Sequence, residues 1–294
     1  MDGKDIILTK EDYEEAACPL CMRNDDVTPI DVMRMMDKLD AYLAKRDYAG
    51  AAKHLEFWLA SADAGADKRG AFSVANEMMG VYRKMGEEEK ALAAAERTIR
   101  LIRELENADT IAAATALLNA GTVHDAFGKY EKALTLFEAA RDSYEKLLPE
   151  SDPRMGGLYN NMAMTLANLG RYEEAEAGFE KALEVMRKQP DGRLEQAITY
   201  LNMADAVEME RGAEAGEERI MELLDRAEEI VFDEGIPHDG YYAFVCEKCA
   251  PCFGWHGRFM TKLELERRAA EIYRKNERED DPGVSTSHNS ARFA

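Results

Sequence analysis

LYNNMAMTLANLGRYEEAEAGFEKAL, residues 158–183, reads as two helical phrases hinged at Gly170. In the first phrase Tyr159, Met162, Ala163 and Leu166 recur at spacings of three, four and seven. Tyr172, Ala175, Phe179, Ala182 and Leu183 do the same in the second, so each phrase is an amphipathic helix. The small residues Ala163, Ala175 and Ala182 sit where larger side chains would collide, which lets paired helices approach to about 8–10 Å. Gly170 is suited to the positive φ that ends the first helix. The phrase opening at Gly170, GRYEEAEAGFEKAL, is echoed 42 residues upstream by GKYEKALTLFEAAR from Gly128 and a further 42 upstream by GEEEKALAAAERTI from Gly86. A fixed period of this length marks a stack of like units, none of which can bury its apolar face alone.

The register extends in both directions. One step back from Gly170, Gly121 takes the place of Ala163, Tyr130 of Tyr172, Ala133 of Ala175, Phe137 of Phe179 and Ala140 of Ala182. Residues 35–62, MMDKLDAYLAKRDYAGAAKHLEFWLASA, carry the pattern with Arg46 in place of glycine. Residues 200–212, YLNMADAVEMERG, match the first helix at Asn202, Met203 and Ala204. The second helix of that unit is expected at IMELLDRAEEI, after a longer turn around GAEAGEE. A last unit holds Ala250, Phe253, Gly257 and Phe259, and in its second helix Lys262 and Glu266 replace Ala and Phe, as suits a terminal cap. The expected organisation is a segment without repeat register at 1–29, a helical array over 30–279, and a polar, disordered tail at 280–294.

A small residue, an aromatic, a glycine, a second aromatic and then alanines, all in register, resemble the tetratricopeptide repeat over most of the chain. The period exceeds that family's usual length of about 34 residues. The surplus is about two helical turns of roughly 3.6 residues, one per helix, and makes the unit similar to the longer repeats of kinesin light chain. HEAT and armadillo arrays have a similar period but lack the glycine-x-aromatic turn followed by alanine. The resemblance implies an all-α fold, a right-handed α-solenoid of about six antiparallel helix pairs, and a role as a binding scaffold.

Charged residues make up 33% of the 294 and the formal net charge is -20. Nucleic acid and anionic membranes recruit partners through clustered Lys and Arg, so neither is expected to bind; a basic or neutral protein or peptide is. No run of apolar residues is long enough to span a membrane, and the N-terminal residues do not have the form of a signal peptide. Five cysteines, an odd number in a chain of this size, point to reduced thiols and a cytoplasmic location. Oligomeric state is not legible.

Three asparagines, Asn119, Asn161 and Asn202, occupy one place in successive first helices, with Asn160 adjacent and Asn76 one position off. Asparagine is a middling-to-poor helix former, so its recurrence asks for a reason. The resemblance implies one: first helices line the concave face of such arrays, where an amide at this position hydrogen-bonds the backbone of an extended peptide by both donating and accepting. The same amide could instead bridge neighbouring helices or cap a local carbonyl; both readings stay open. Arg83, Lys84, Thr122, Asp125, Met164, Asn168 and Asp205 lie farther along these faces and would set side-chain preference. They do not form the Lys, Asn and Arg set by which chaperone-binding members hold a C-terminal carboxylate.

VCEKCAPCFGWH, residues 245–256, presents Cys246, Cys249 and Cys252 with His256 four residues on, and CPLC lies at 18–21. Such spacing raises a zinc or iron–sulfur site. Register opposes it, since Cys246 and Cys249 stand where Tyr159 and Met162 stand, and free cysteine is among the most buried residue types. Cys252 falls about 120° around the helix from Cys246, so the three thiols would not converge on one ion. Pro251 could bend the helix and undo that argument. The expectation is core cysteines, no metal and no cofactor. His124 reads as a satisfied core histidine, and the methionines, Met33 included, mostly as core.

No phosphate loop, nucleophile elbow, H-E-x-x-H or paired-carboxylate context is legible, so no catalysis is expected. The leading expectation is a scaffold holding an extended peptide along its first helices. Alternatives are a peptide-sensing regulatory array and a metal- or thiol-dependent module built on the CxxCxxC segment.

Overall fold

A computed structural model describes residues 27–106 and 109–279, with side chains as far as Lys275. The expectations for CPLC and for the tail from 280 lie outside these residues. The described residues form eleven helices: α1 (Val32–Ala44), α2 (Tyr48–Ala64), α3 (Lys68–Met85), α4 (Glu88–Glu104), α5 (Ile111–Ala126), α6 (Tyr130–Leu147), α7 (Pro153–Asn168), α8 (Tyr172–Arg187), α9 (Arg193–Val231), α10 (Gly240–Trp255) and α11 (Phe259–Glu279). No strand occurs among them. The chain divides between Pro149 and Glu150 into two compact units.

Within the first unit α1 pairs with α2, α3 with α4 and α5 with α6; within the second α7 pairs with α8 and α10 with α11, while α9 supplies both members of its pair. First helices also pack on the next first helix, α3 on α5 and α7 on α9. This is the all-α solenoid arrangement that the period predicts.

The turn between paired helices has one recurring geometry. Gly86, Gly128, Gly170 and Gly257 adopt φ of 72°, 71°, 74° and 81°. At Gly170 the amide N–H donates to Ala167 O at 2.9 Å and the next amide, on Arg171, donates to Leu166 O at 2.9 Å. Gly128 and Lys129 repeat this with Asp125 O and His124 O at 2.9 and 2.8 Å. These are Schellman caps, which satisfy carbonyls left over at the helix end. Arg46 makes the same pair of bonds at φ 55°, so it holds the glycine position in fact as well as in register. The second helices α4, α6 and α8 start without a side-chain cap, and Glu88, Glu89, Glu131, Glu173 and Glu174 crowd their first turns instead. Acidic groups there offset the positive end of the helix dipole.

The expected long turn around GAEAGEE does not exist. Gly212, 42 residues after Gly170, takes φ 78° and ψ 164° and makes the whole reversal alone, dividing α9 into limbs at 193–211 and 213–231. That combination of angles is essentially restricted to glycine. The Ala- and Glu-rich residues that follow are strong helix formers, so the helix resumes at once and the surplus residues lengthen its second limb.

Packing follows the small-residue register. Phe137, Phe179 and Phe253 are fully buried, as are Ala91, Ala133, Ala140, Ala163, Ala175 and Ala182. A Cβ on Gly121 would come within 2.5 Å of Phe137 Cε1, so only glycine allows that ring against α5. Tyr144 is buried with its hydroxyl 2.6 Å from Thr115 Oγ1, and Tyr242 with its hydroxyl donating to Val231 O at 2.8 Å. Met33 departs from the core expectation and is exposed, whereas Met35, Met36, Met78, Met79, Met162 and Met203 are buried. On α11 the expected charged face is mixed: Lys262 and Glu266 pair at 3.7 Å, while Phe259, Met260 and Leu263 are exposed. No helix among the described residues is long and apolar enough to cross a membrane.

Candidate functional site

First helices bury residues around much of their circumference, and second helices keep a solvent face. Polar side chains that enter the first-helix layer must therefore find partners inside it. In the first unit Asn119 Nδ2 on α5 donates to Asn76 Oδ1 on α3 at 3.1 Å, and Asn76 Nδ2 donates to Glu77 Oε1 at 3.1 Å. In the second unit Asn202 Nδ2 on α9 donates to Asn160 Oδ1 on α7 at 3.0 Å. Two amide bridges thus join successive first helices, one in each unit.

The partners differ from the sequence register, which aligned Asn119 with Asn161 and Asn202. It is Asn160, the neighbour, that meets Asn202, and Asn76, one position off, that meets Asn119. Bridging, one of the two readings open from sequence, describes these four amides as they stand. Asn76, Asn160, Asn161 and Asn202 are buried and Asn119 half-buried, with its Oδ1 lacking a hydrogen-bond partner.

The remaining expected contact residues separate by accessibility. Thr122 is 2% exposed and donates to Leu118 O of its own helix at 3.1 Å. A hydroxyl four residues on from a helical carbonyl finds its bond locally. Arg83 is buried, Lys84 is exposed and lies 5.8 Å over the Tyr48 ring, and Asp125, Met164 and Asn168 are half-buried. His124 is buried, as expected, but its Nδ1 has no hydrogen-bond partner, so it is not the satisfied histidine that register suggested. Burial lowers its pKa.

The cysteine segment stays helical through Pro251. Cys246, Cys249 and Cys252 are all buried. Burial raises the Cys246 thiol to about 11 and the Cys249 thiol to about 12. Cys252 is raised further by burial and by Asp205. Thiols held neutral in this way are poor nucleophiles.

The three do not converge. Cys252 instead faces Asp205 on the first limb of α9, with Sγ 3.5 Å from Oδ1, and His256 Nε2 lies 3.2 Å from the same oxygen. The sequence places Asp205 among the expected peptide contacts, and groups Cys252 with His256, Cys246 and Cys249 only in the disfavoured metal alternative. The available signal was the four-residue spacing of Cys252 and His256, which puts both on one helix face; the third member, one repeat back, was visible only through packing.

The tetratricopeptide repeat model matches residues 71–146 and 154–229, just over half of the chain. Among solved structures the chain is similar to the apo form of RapI, with 18% identity, a TM-score of 0.50 and coverage of 85% of this chain and 86% of that one. It is also similar to a putative kinesin light chain repeat protein of Podosopora anserina (16% identity, TM-score 0.46, 69% of this chain and 95% of that one). BtubC from P. vanneervenii gives 19% identity and a TM-score of 0.46 over 90% of this chain and all of that one. No curated protein matches the chain. With the family model spread over both units, and with glycine caps and paired helices where that family requires them, the chain belongs to the tetratricopeptide repeat family of protein-binding scaffolds.

Proposed function

We propose that this array is a non-catalytic scaffold that holds an extended segment of a partner protein against its first helices. The observation that carries the reading is where polar groups are buried. Among the described residues the first helices bury Asn76, Thr115, Asn160, Asn161, Thr165, Thr199 and Asn202, whereas the second helices bury Thr98, Thr261 and the Tyr144 hydroxyl. Buried polar groups cost stability unless bonded, and here they bond within the layer, which holds the first helices in register and leaves the half-buried polar groups beside them to meet the N–H and C=O groups of another backbone.

The accessible part of this layer supplies the contacts. Lys84, Asn119, Asp125, Met164 and Asn168 reach solvent from first helices. Asn119 Oδ1 offers an acceptor that nothing in the layer uses. Asn76, Asn160, Asn161 and Asn202 lie beneath and fix the spacing of the helices that present these groups. The net charge of -20 favours a basic or neutral partner, and five cysteines fit the cytoplasm.

Affinity capture from the native cell tests the reading when wild type is compared with Asn119→Ala combined with Asn168→Ala, circular dichroism confirming that both fold. Selective loss of one partner from the variant is expected. Undiminished capture, with a second-helix variant such as Glu176→Ala behaving the same, would refute it.

A further inference from the structure

We propose that Asp205, Cys252 and His256 form a mononuclear site for a divalent transition metal, with Zn2+ the ion that suits the donor set. The site does not rest on the peptide reading, and it departs from the expectation of no metal. The ligand atoms are one carboxylate oxygen, Cys252 Sγ and one imidazole nitrogen, and all lie within 4.8 Å of one another.

Three observations carry the inference. First, the spacing fits an ion. Zinc bonds of about 2.3 Å to sulfur, roughly 2.0–2.1 Å to nitrogen and roughly 2.0–2.2 Å to oxygen put tetrahedral ligands about 3.4–3.6 Å apart. The two measured edges, Sγ to Oδ1 at 3.5 Å and Nε2 to Oδ1 at 3.2 Å, are close to that before any side chain moves.

Second, the site contains an uncompensated group. Asp205 is 7% exposed, and its second carboxylate oxygen is buried with no hydrogen-bond partner. A buried carboxylate with a bare oxygen is costly, and a cation held at Oδ1 would offset its charge. Third, the imidazole is set for ligation. Glu208 Oε2 lies 3.8 Å from His256 Nδ1 and accepts from Trp255 Nε1 at 2.7 Å. A carboxylate on the side of the second ring nitrogen is common behind a metal-bound histidine, and Glu208, beyond hydrogen-bond distance as it stands, is placed on that side.

Cys252 Sγ also lies 3.9 Å from Leu201 O, a longer contact than its 3.5 Å approach to Asp205 Oδ1. On binding, an Sγ–Zn bond forms, the S–H bond breaks and the proton leaves to solvent. The resulting centre, Zn2+ with one thiolate and one carboxylate, is neutral and keeps one open position. It ties the first limb of α9 to α10, two first helices of successive pairs, and so fixes the last pair of the array.

The test uses the full chain, stripped of metal with a chelator under reducing conditions and titrated with Zn2+ alone or Co2+ alone. One ion per chain is expected, with a near-ultraviolet thiolate-to-cobalt charge-transfer band and a rise of several degrees in the unfolding midpoint on zinc addition. Cys252→Ser and Asp205→Asn should abolish the band or weaken affinity by more than the ~10–100-fold typical of losing an outer-shell partner. Cys246→Ser, and Cys18→Ser with Cys21→Ser, should leave both unchanged. If Cys252→Ser fails to fold, His256→Gln reads the same loss through the cobalt spectrum. Absence of the band in the wild type, or a band that survives Cys252→Ser and disappears with Cys246→Ser or the Cys18/Cys21 pair, would overturn the site.

Discussion

Residues 27–149 and residues 150–279 are two units on one plan that differ in what they bury between successive first helices. Both close their helix pairs with Schellman caps, and both cross-link first helices through an asparagine pair, Asn76 with Asn119 in one and Asn160 with Asn202 in the other. One helical turn beyond the bridge they part. The first unit has Thr122, bonded to its own helix; the second has Asp205, facing Cys252 and His256. The frame is repetitive because glycine, alanine and the aromatic ring are each required by backbone or packing. Chemistry specific to this chain sits where the repeat is broken.

The comparison predicts equal damage where the units are alike. Phe137→Ala and Phe179→Ala remove equivalent buried rings, and each should lower stability by about 3–5 kcal/mol in denaturant unfolding. A large loss in only one would show that the units do not share a packing plan. Breaking the bridges comes next: Asn76→Ala and Asn160→Ala leave a partner amide without its bond and should each cost about 1–3 kcal/mol. Gly128→Ala and Gly170→Ala force a Cβ into the left-handed region, with an expected loss of about 1–2 kcal/mol each by thermal unfolding.

The smallest effect separates the units. Cysteines occur only in the second among the described residues, and their folded pKa values are raised. A neutral thiol favoured by folding contributes stability that is full below the unfolded value near 8.5 and is lost as pH rises toward 11 to 12. Between pH 8 and pH 9.5 each thiol should therefore cost about 1 kcal/mol. Unfolding measured across that range should flatten in Cys246→Ala, and a slope unchanged by that variant would contradict the assignment.

Most of the frame was legible in residue order. The 42-residue glycine period located the turns, and Arg46 was correctly placed in a glycine's role. Gly212 stood in the same period and was missed because the acidic, glycine-bearing residues after it look like a loop; their helix propensity, with the reversal confined to one residue, decided otherwise. The site was less legible. Register could align Asn119, Asn161 and Asn202, but which amide meets which depends on how far one helix is rotated against the next, a matter of one residue. The pairing of Asp205 with Cys252 and His256 spans two helices and carries no sequence period at all.

If partners are held on the first helices, site-specific photocross-linking reads it directly. A photoreactive residue placed at Met164 or Asn168 on α7 is predicted to capture a partner that the same group at exposed Glu176 on α8 does not. Cross-links from Glu176 alone, or equally from both helices, would contradict it.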